Sequence, residues 1–141
     1  VQKIIYPTDG SKTAEKALEF AAHIAKDTKA EIIVVSVADA KLKGFPRTME
    51  PQLMQELKKE AQNIAEKARK ELEHDGLKVQ AVTAEGSPSE EIVKLARKEK
   101  ADLIVMGTHG ITGLARVIIG SVADHVIREA QCPVVLVPAK K

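Results

Sequence analysis

Four positions in the last third of this 141-residue chain have the types and spacing of an anion-binding turn: Gly107, Gly110, Gly120 and Ser121, within GTHGITGLARVIIGSVADHVI. The apolar run LIVM (103–106) stands before them as a buried strand would. Val122, Ala123, Val126, Ile127 and Ala130 follow at helical spacing. Such a junction suits a phosphate. Without a Cβ in the way, backbone N–H groups can approach an anion closely. The first turn of the helix adds unpaired N–H donors and the positive end of its dipole. On this reading Gly107 lets the chain turn as it leaves the strand, and Gly110 permits close approach. Ser121 caps the helix or donates its hydroxyl to the phosphate.

A second polar turn, TDGS (8–11), follows the first apolar stretch, KIIYP. Asp9 and His109 are the only candidates for a base near the two turns. Arg116 is the one fixed positive charge in residues 107–121. His23, His74, His109 and His125 are scattered, and no protein metal cluster is read from them. A P-loop needs G-x4-G-K-[ST], which does not occur. A dinucleotide fold needs G-x-G-x-x-G after its first strand, where TDGS stands. TDGSKT faintly resembles a flavodoxin phosphate loop, but a flavin wants aromatic partners, and the chain has one Tyr, two Phe and no Trp. A receiver domain would carry its Asp where Glu85 and Gly86 stand. The H-x-G-H signature of nucleotidylyltransferases is missing near the start.

The elements that must position these turns alternate. Strand-like KIIYP leads to a helix over about 11–28, with Ala14, Ala17, Leu18, Ala21 and Ala25 on one face. EIIVVSV (31–37) is apolar almost throughout, as strands buried on both faces are. A loop over 38–50 then precedes a long helix, 51–74, striped by Leu53, Leu57, Ala61, Ile64, Ala65, Ala68 and Leu72, with Gly76 just past its end. A loop this long beside the second strand reads as a binding segment. LKVQAVTA (77–84) alternates like an edge strand. SPSE (87–90) starts the next helix, with Ser87 as cap, Pro88 in the first turn and Glu90 reaching back. PVVLVP (133–138) is the fifth strand. Five strands and four helices in alternation predict one open α/β domain over 1–141, a parallel sheet with helices on both faces.

Composition bounds the function classes. Hydrophobic residues make up 44% and charged residues 30%, which predicts a globular chain with a proper core. No apolar run approaches the ~20 residues that cross a bilayer, so no membrane is expected. With a net charge of +2 and no basic stripe, no nucleic acid is expected either. The opening VQKIIYPTDG lacks a secretory pattern, and the single cysteine, Cys132, fits a reducing compartment. A cytoplasmic location is the expectation. Abundant Lys and Glu beside a single Asn lean towards a thermophile.

Together these features resemble the universal stress protein family, in its ATP-binding branch. That branch carries G-x2-G-x9-G-[ST] after the fourth strand, matched here by Gly107, Gly110, Gly120 and Ser121. The opening YPTDGS, the last strand QCPVVLVP and the ending VPAKK add to the likeness. The resemblance implies a Rossmann-like fold of the adenine nucleotide alpha hydrolase type, with strand order 3-2-1-4-5. Strand order then reverses between strands one and four, where ligands of doubly wound sheets bind. It implies that Pro7, Thr8 and Asp9 line adenine and ribose, and that Val37 offers main-chain groups to the base. Met106 and Gly107 would flank the ribose. His109, Gly110, Gly120, Ser121 and Val122 would surround the phosphates. The cofactor implied is ATP, or AMP or ADP, with Mg or Mn held by phosphate oxygens and water. Symmetric pairing of Val134, Val135, Leu136 and Val137 with a second copy would give a homodimer. The function implied is regulatory nucleotide binding in a stress response. The alternative is a slow ATP hydrolase or an enzyme on an adenylated substrate.

Overall fold

Isoleucine and valine set the strands. In β1 (Lys3–Pro7), β2 (Glu31–Ala38) and β4 (Leu103–Gly107) nearly every residue is buried, whichever face it points to. Such strands need helices on both sides. The computed structural model describes residues 1–39, 51–108 and 119–138. It adds β3 (Val79–Glu85) and β5 (Val134–Val137) at the two edges, in the order β3-β2-β1-β4-β5, all parallel. This is the α/β architecture and strand order expected above.

The helices are α1 (Lys12–Thr28), α2 (Pro51–His74), α3 (Pro88–Glu99) and α4 (Ser121–Glu129). Their apolar stripes divide the core in two. Ala17, Ala21 and Ala25 of α1 and Ala65, Ala68 and Leu72 of α2 pack on Ile4, Tyr6, Ile32, Val34 and Val105. Ile92, Val93 and Ala96 of α3 and Ala123 and Val126 of α4 pack on Ile5, Ile33, Val35, Ile104 and Met106. Alanine on the helix faces lets α1 and α2 sit close to the branched strand residues. Leu53 and Ile64, expected in the α2 stripe, are only half-buried. Ile127, expected on the buried face of α4, is 44% exposed, because that short helix buries only Ala123 and Val126.

Element ends depart from expectation where tertiary hydrogen bonds decide them. β3 begins at Val79 rather than 77, because the Leu77 N–H donates back to the Leu72 oxygen at 3.3 Å and stays with the end of α2. Gly76, at φ +82°, makes that turn. Ser87 has the extended backbone of a cap, but its hydroxyl makes no cap bond, and Glu90 stays exposed. Pro88 and the acidic Glu90 and Glu91 support that helix start through fixed φ and the dipole instead. The expected 38–50 loop falls outside the described residues from 40 onward. Among the described residues no helix is long and apolar enough to cross a membrane.

Candidate functional site

The β1–α1 turn is closed by its own polar groups. Thr8 N–H extends the ladder to the Val35 oxygen at 2.9 Å. Thr8 Oγ1 then accepts from Gly10 N–H at 3.1 Å, and Asp9 Oδ1 accepts from Ser11 N–H at 3.0 Å. Ser11 caps α1, its hydroxyl accepting from Ala14 N–H at 3.2 Å. Asp9 is thus an Asx-turn residue, as short acidic side chains at helix starts commonly are. Its second carboxylate oxygen makes no bond to the described residues. Pro7 is buried at the end of β1, and Thr8 and Asp9 are half-buried at the rim.

The β4 end is built differently from the expectation. Gly107 is still a strand residue, paired with Val137, and its φ is not positive. Its missing side chain serves packing rather than turning. A Cβ there would stand 2.5 Å from Thr13 Cγ2 and 3.2 Å from the Thr13 carbonyl carbon. Thr13, 3% exposed, therefore lies directly over Gly107 and brings the first turn of α1 onto the end of β4. Thr108, 4% exposed, makes the next connection through its main chain. Its N–H donates to the Val137 oxygen at 3.2 Å, and its oxygen accepts from Gly120 N–H at 2.6 Å. The two ends of the glycine-rich segment are thereby held together beside β5.

Gly120, not Ser121, is the N-cap of α4, with an extended φ of −70° that any residue can adopt. The expectation that Ser121 caps the helix is thus corrected: it is the first helical residue, one position too late for its hydroxyl to reach back over the turn. Gly120 has no side chain with which to cap this helix start. The amides of Ser121, Val122 and Ala123 have no intrahelical acceptor, since the first bonded amide is that of Asp124, to the Gly120 oxygen at 2.9 Å. Three N–H donors and the positive dipole end thus face the rim.

The two turns leave the same edge of neighbouring strands, at the reversal of strand order. Pro7, Thr8, Asp9, Gly107, Gly120 and Ser121 gather there. Val37, Met106 and Val122 lie on the α3/α4 side, packed with that face's core, and give the rim an apolar flank. His109, Gly110 and Arg116 lie outside the described residues. A groove of about 460 Å³ runs along the outer face of α2 past Glu60, Asn63, Ile64 and Lys67. It touches the rim only through Ile64, which sits 3.5 Å from where a Gly10 Cβ would be. A smaller hollow of about 230 Å³, between Arg97, Lys100 and Cys132, lies at the opposite end of the sheet. Burial pushes the Cys132 thiol above its ordinary range. Among the described residues no group of three or more His, Cys, Asp or Glu is placed to hold a metal ion.

Thr13, Thr108 and Tyr6 were not singled out from the sequence. Thr108 stood between two quoted residues, and its main-chain role leaves no signature in residue type. Nothing along the chain pairs Thr13 with Gly107.

Known proteins share this fold. The sequence profile of the universal stress protein family matches residues 1–138. Universal stress protein MJ0531 of Methanocaldococcus jannaschii is 44% identical over 142 residues, covering 99% of this chain and 84% of its own. The solved structure of MJ0577, from the same organism, superposes with a TM-score of 0.88 at 40% identity, covering 99% of this chain and 97% of the other. A universal stress protein solved in complex with cAMP superposes with a TM-score of 0.71 at 26% identity, covering 99% and 98%. The profile match over nearly the whole chain, with the identity to curated relatives and the shared fold, makes this chain a member of the universal stress protein family.

Proposed function

We propose that the chain binds an adenine nucleotide, ATP or its mono- or diphosphate, at the rim between β1 and β4, and serves a regulatory role in a stress response. The observation that carries this reading is the uncapped start of α4 beside the self-closed β1–α1 turn. Ser121 and Val122 give amides to the phosphates, with the Ser121 hydroxyl beside them, while Gly120 keeps that helix start open. His109 and Gly110 complete the phosphate side. Pro7, Thr8 and Asp9 line adenine and ribose, the free Asp9 oxygen accepting from a ribose hydroxyl. Val37 offers main-chain groups to the base, and Met106 and Gly107 flank the sugar. A divalent cation, Mg or Mn, rides on phosphate oxygens and water. Binding of cAMP by a relative of the same fold supports an adenine nucleotide over other anions. Residues 1–141 act as one domain, and two copies pair through β5.

Amides and one hydroxyl hold ground and transition states about alike, which gives affinity without rate. The chain therefore holds ATP far better than it cleaves it, at ~10⁻⁴ to 10⁻³ per second or slower, the range of an unassisted small GTPase. Mass spectrometry of the purified protein tests the ligand, and phosphate release with Mg²⁺ tests the rate. A retained or readily added adenine nucleotide is the expected result. A protein that neither retains nor takes up adenine nucleotides contradicts the reading. Turnover near one per second, abolished by Gly120→Val, would make it an ATPase.

A further inference from the structure

Tyr6 is the only tyrosine of the chain, and it is 1% exposed in the layer beneath α1. Its neighbours on that face are Ile4, Val34 and Val105, which bring no polar atom into the core. A hydroxyl at this depth is costly unless it is bonded. It donates to the main-chain oxygen of Ala14, in the first turn of α1. That oxygen faces its own helical amide, so Tyr6 takes the second lone pair. Between Tyr6 and Ala14 the β1–α1 turn carries bonds of its own. Thr8 Oγ1 accepts from Gly10 N–H at 3.1 Å. The Tyr6–Ala14 bond thus ties the end of β1 to the first turn of α1 and brackets the β1–α1 turn between them. Asp9, with Ser11 N–H on its Oδ1, lies inside that bracket.

We infer that Tyr6 is a positioning residue for nucleotide binding: its hydroxyl clamps the β1–α1 turn to α1 and so holds Asp9 and the main chain of 8–10 ready for the ligand. The inference rests on the adenine-nucleotide reading above. Without the hydroxyl the turn keeps its internal bonds but loses its anchor. Ordering it then falls on the binding step and weakens it.

Tyr6→Phe keeps the ring and removes the clamp. Ile32→Val, a fully buried change at the far end of β2, is the control for a comparable loss of stability. Calorimetric titration with ATP should show Tyr6→Phe about fivefold weaker, the worth of one ordinary hydrogen bond. Ile32→Val should bind like the wild type. Hydrogen exchange in the absence of nucleotide should be faster at the Gly10 and Ser11 amides of Tyr6→Phe and unchanged there in Ile32→Val. Wild-type affinity in Tyr6→Phe overturns the inference, as does unchanged exchange at those amides. If the wild type binds no adenine nucleotide, the function proposed above fails, and the exchange result still decides whether Tyr6 holds the turn.

Discussion

Glycine at position 107 makes room for Thr13, and that contact seats α1 on the end of β4. Gly107→Ala would force a Cβ to within 2.5 Å of a methyl and 3.2 Å of a backbone carbon, so the helix must move. Overpacking of this kind costs about 1–3 kcal/mol. Urea unfolding should show that loss, and adding Thr13→Ser, which removes the nearer methyl, should restore about half of it as a non-additive gain. Strictly additive losses would mean that the two residues do not meet. A second residue ties the opposite end of the sheet. Asp102 Oδ2 accepts from Gln2 N–H at 2.7 Å and Lys3 N–H at 2.9 Å, and these bonds hold its carboxyl below the ordinary range. A depressed folded value means that the contribution is complete above the unfolded value, ~3.9, and is lost as pH falls through the lower folded one. Between about pH 6 and pH 3 the urea midpoint of the wild type should therefore drop further than that of Asp102→Asn. Equal drops would show that those bonds carry no pH-dependent stability.

β5 is an edge strand of the sheet, paired with β4. Ile104 N–H donates to the Pro133 oxygen at 3.0 Å and Thr108 N–H to the Val137 oxygen at 3.2 Å. Alternation along a parallel ladder then turns the main-chain groups of Val134 and Leu136 to the open edge. Among the described residues no strand covers that short apolar edge, and such an edge invites a second strand. Val134→Pro removes an outward N–H at no cost to the inner ladder. Sedimentation should find the wild type dimeric and Val134→Pro monomeric with its fold intact. A dimeric variant would place the interface elsewhere. The strands and helices were legible because each long stripe repeats with a single period, as in the α2 residues Leu57, Ala61, Ala65, Ala68 and Leu72. Their ends were less legible. Whether Ser87 or Ser121 caps a helix, and whether Leu77 joins β3, depends on single hydrogen bonds that propensity does not encode. In the candidate site, Gly120 and Ser121 stood out by spacing and Asp9 by its place in the turn after the first strand. The Thr13 contact, the Thr108 main-chain link and the Tyr6 clamp did not, because each joins separate elements that only the folded sheet brings together.

At the scale of the whole molecule, two cores on a five-stranded sheet hold two turns at one rim, and every functional claim depends on that rim taking an adenine nucleotide. The chain's +2 charge gives little long-range attraction for an anion, so the proposed affinity would have to come from the local donors at the start of α4. On the proposed reading, a side chain at Gly120 would stand where a phosphate approaches the amides of Ser121 and Val122. Gly76→Ala supplies the control: it strains a left-handed turn at φ +82° between α2 and β3, remote from the rim. The decisive measurement is calorimetric titration of ATP with Mg²⁺ into the wild type, Gly120→Val and Gly76→Ala, each checked by circular dichroism. The account predicts equal affinity for the wild type and Gly76→Ala, and a loss of about tenfold or more, ~1.4 kcal/mol, for Gly120→Val. Equal binding by all three folded proteins, or no binding by the wild type, would contradict it.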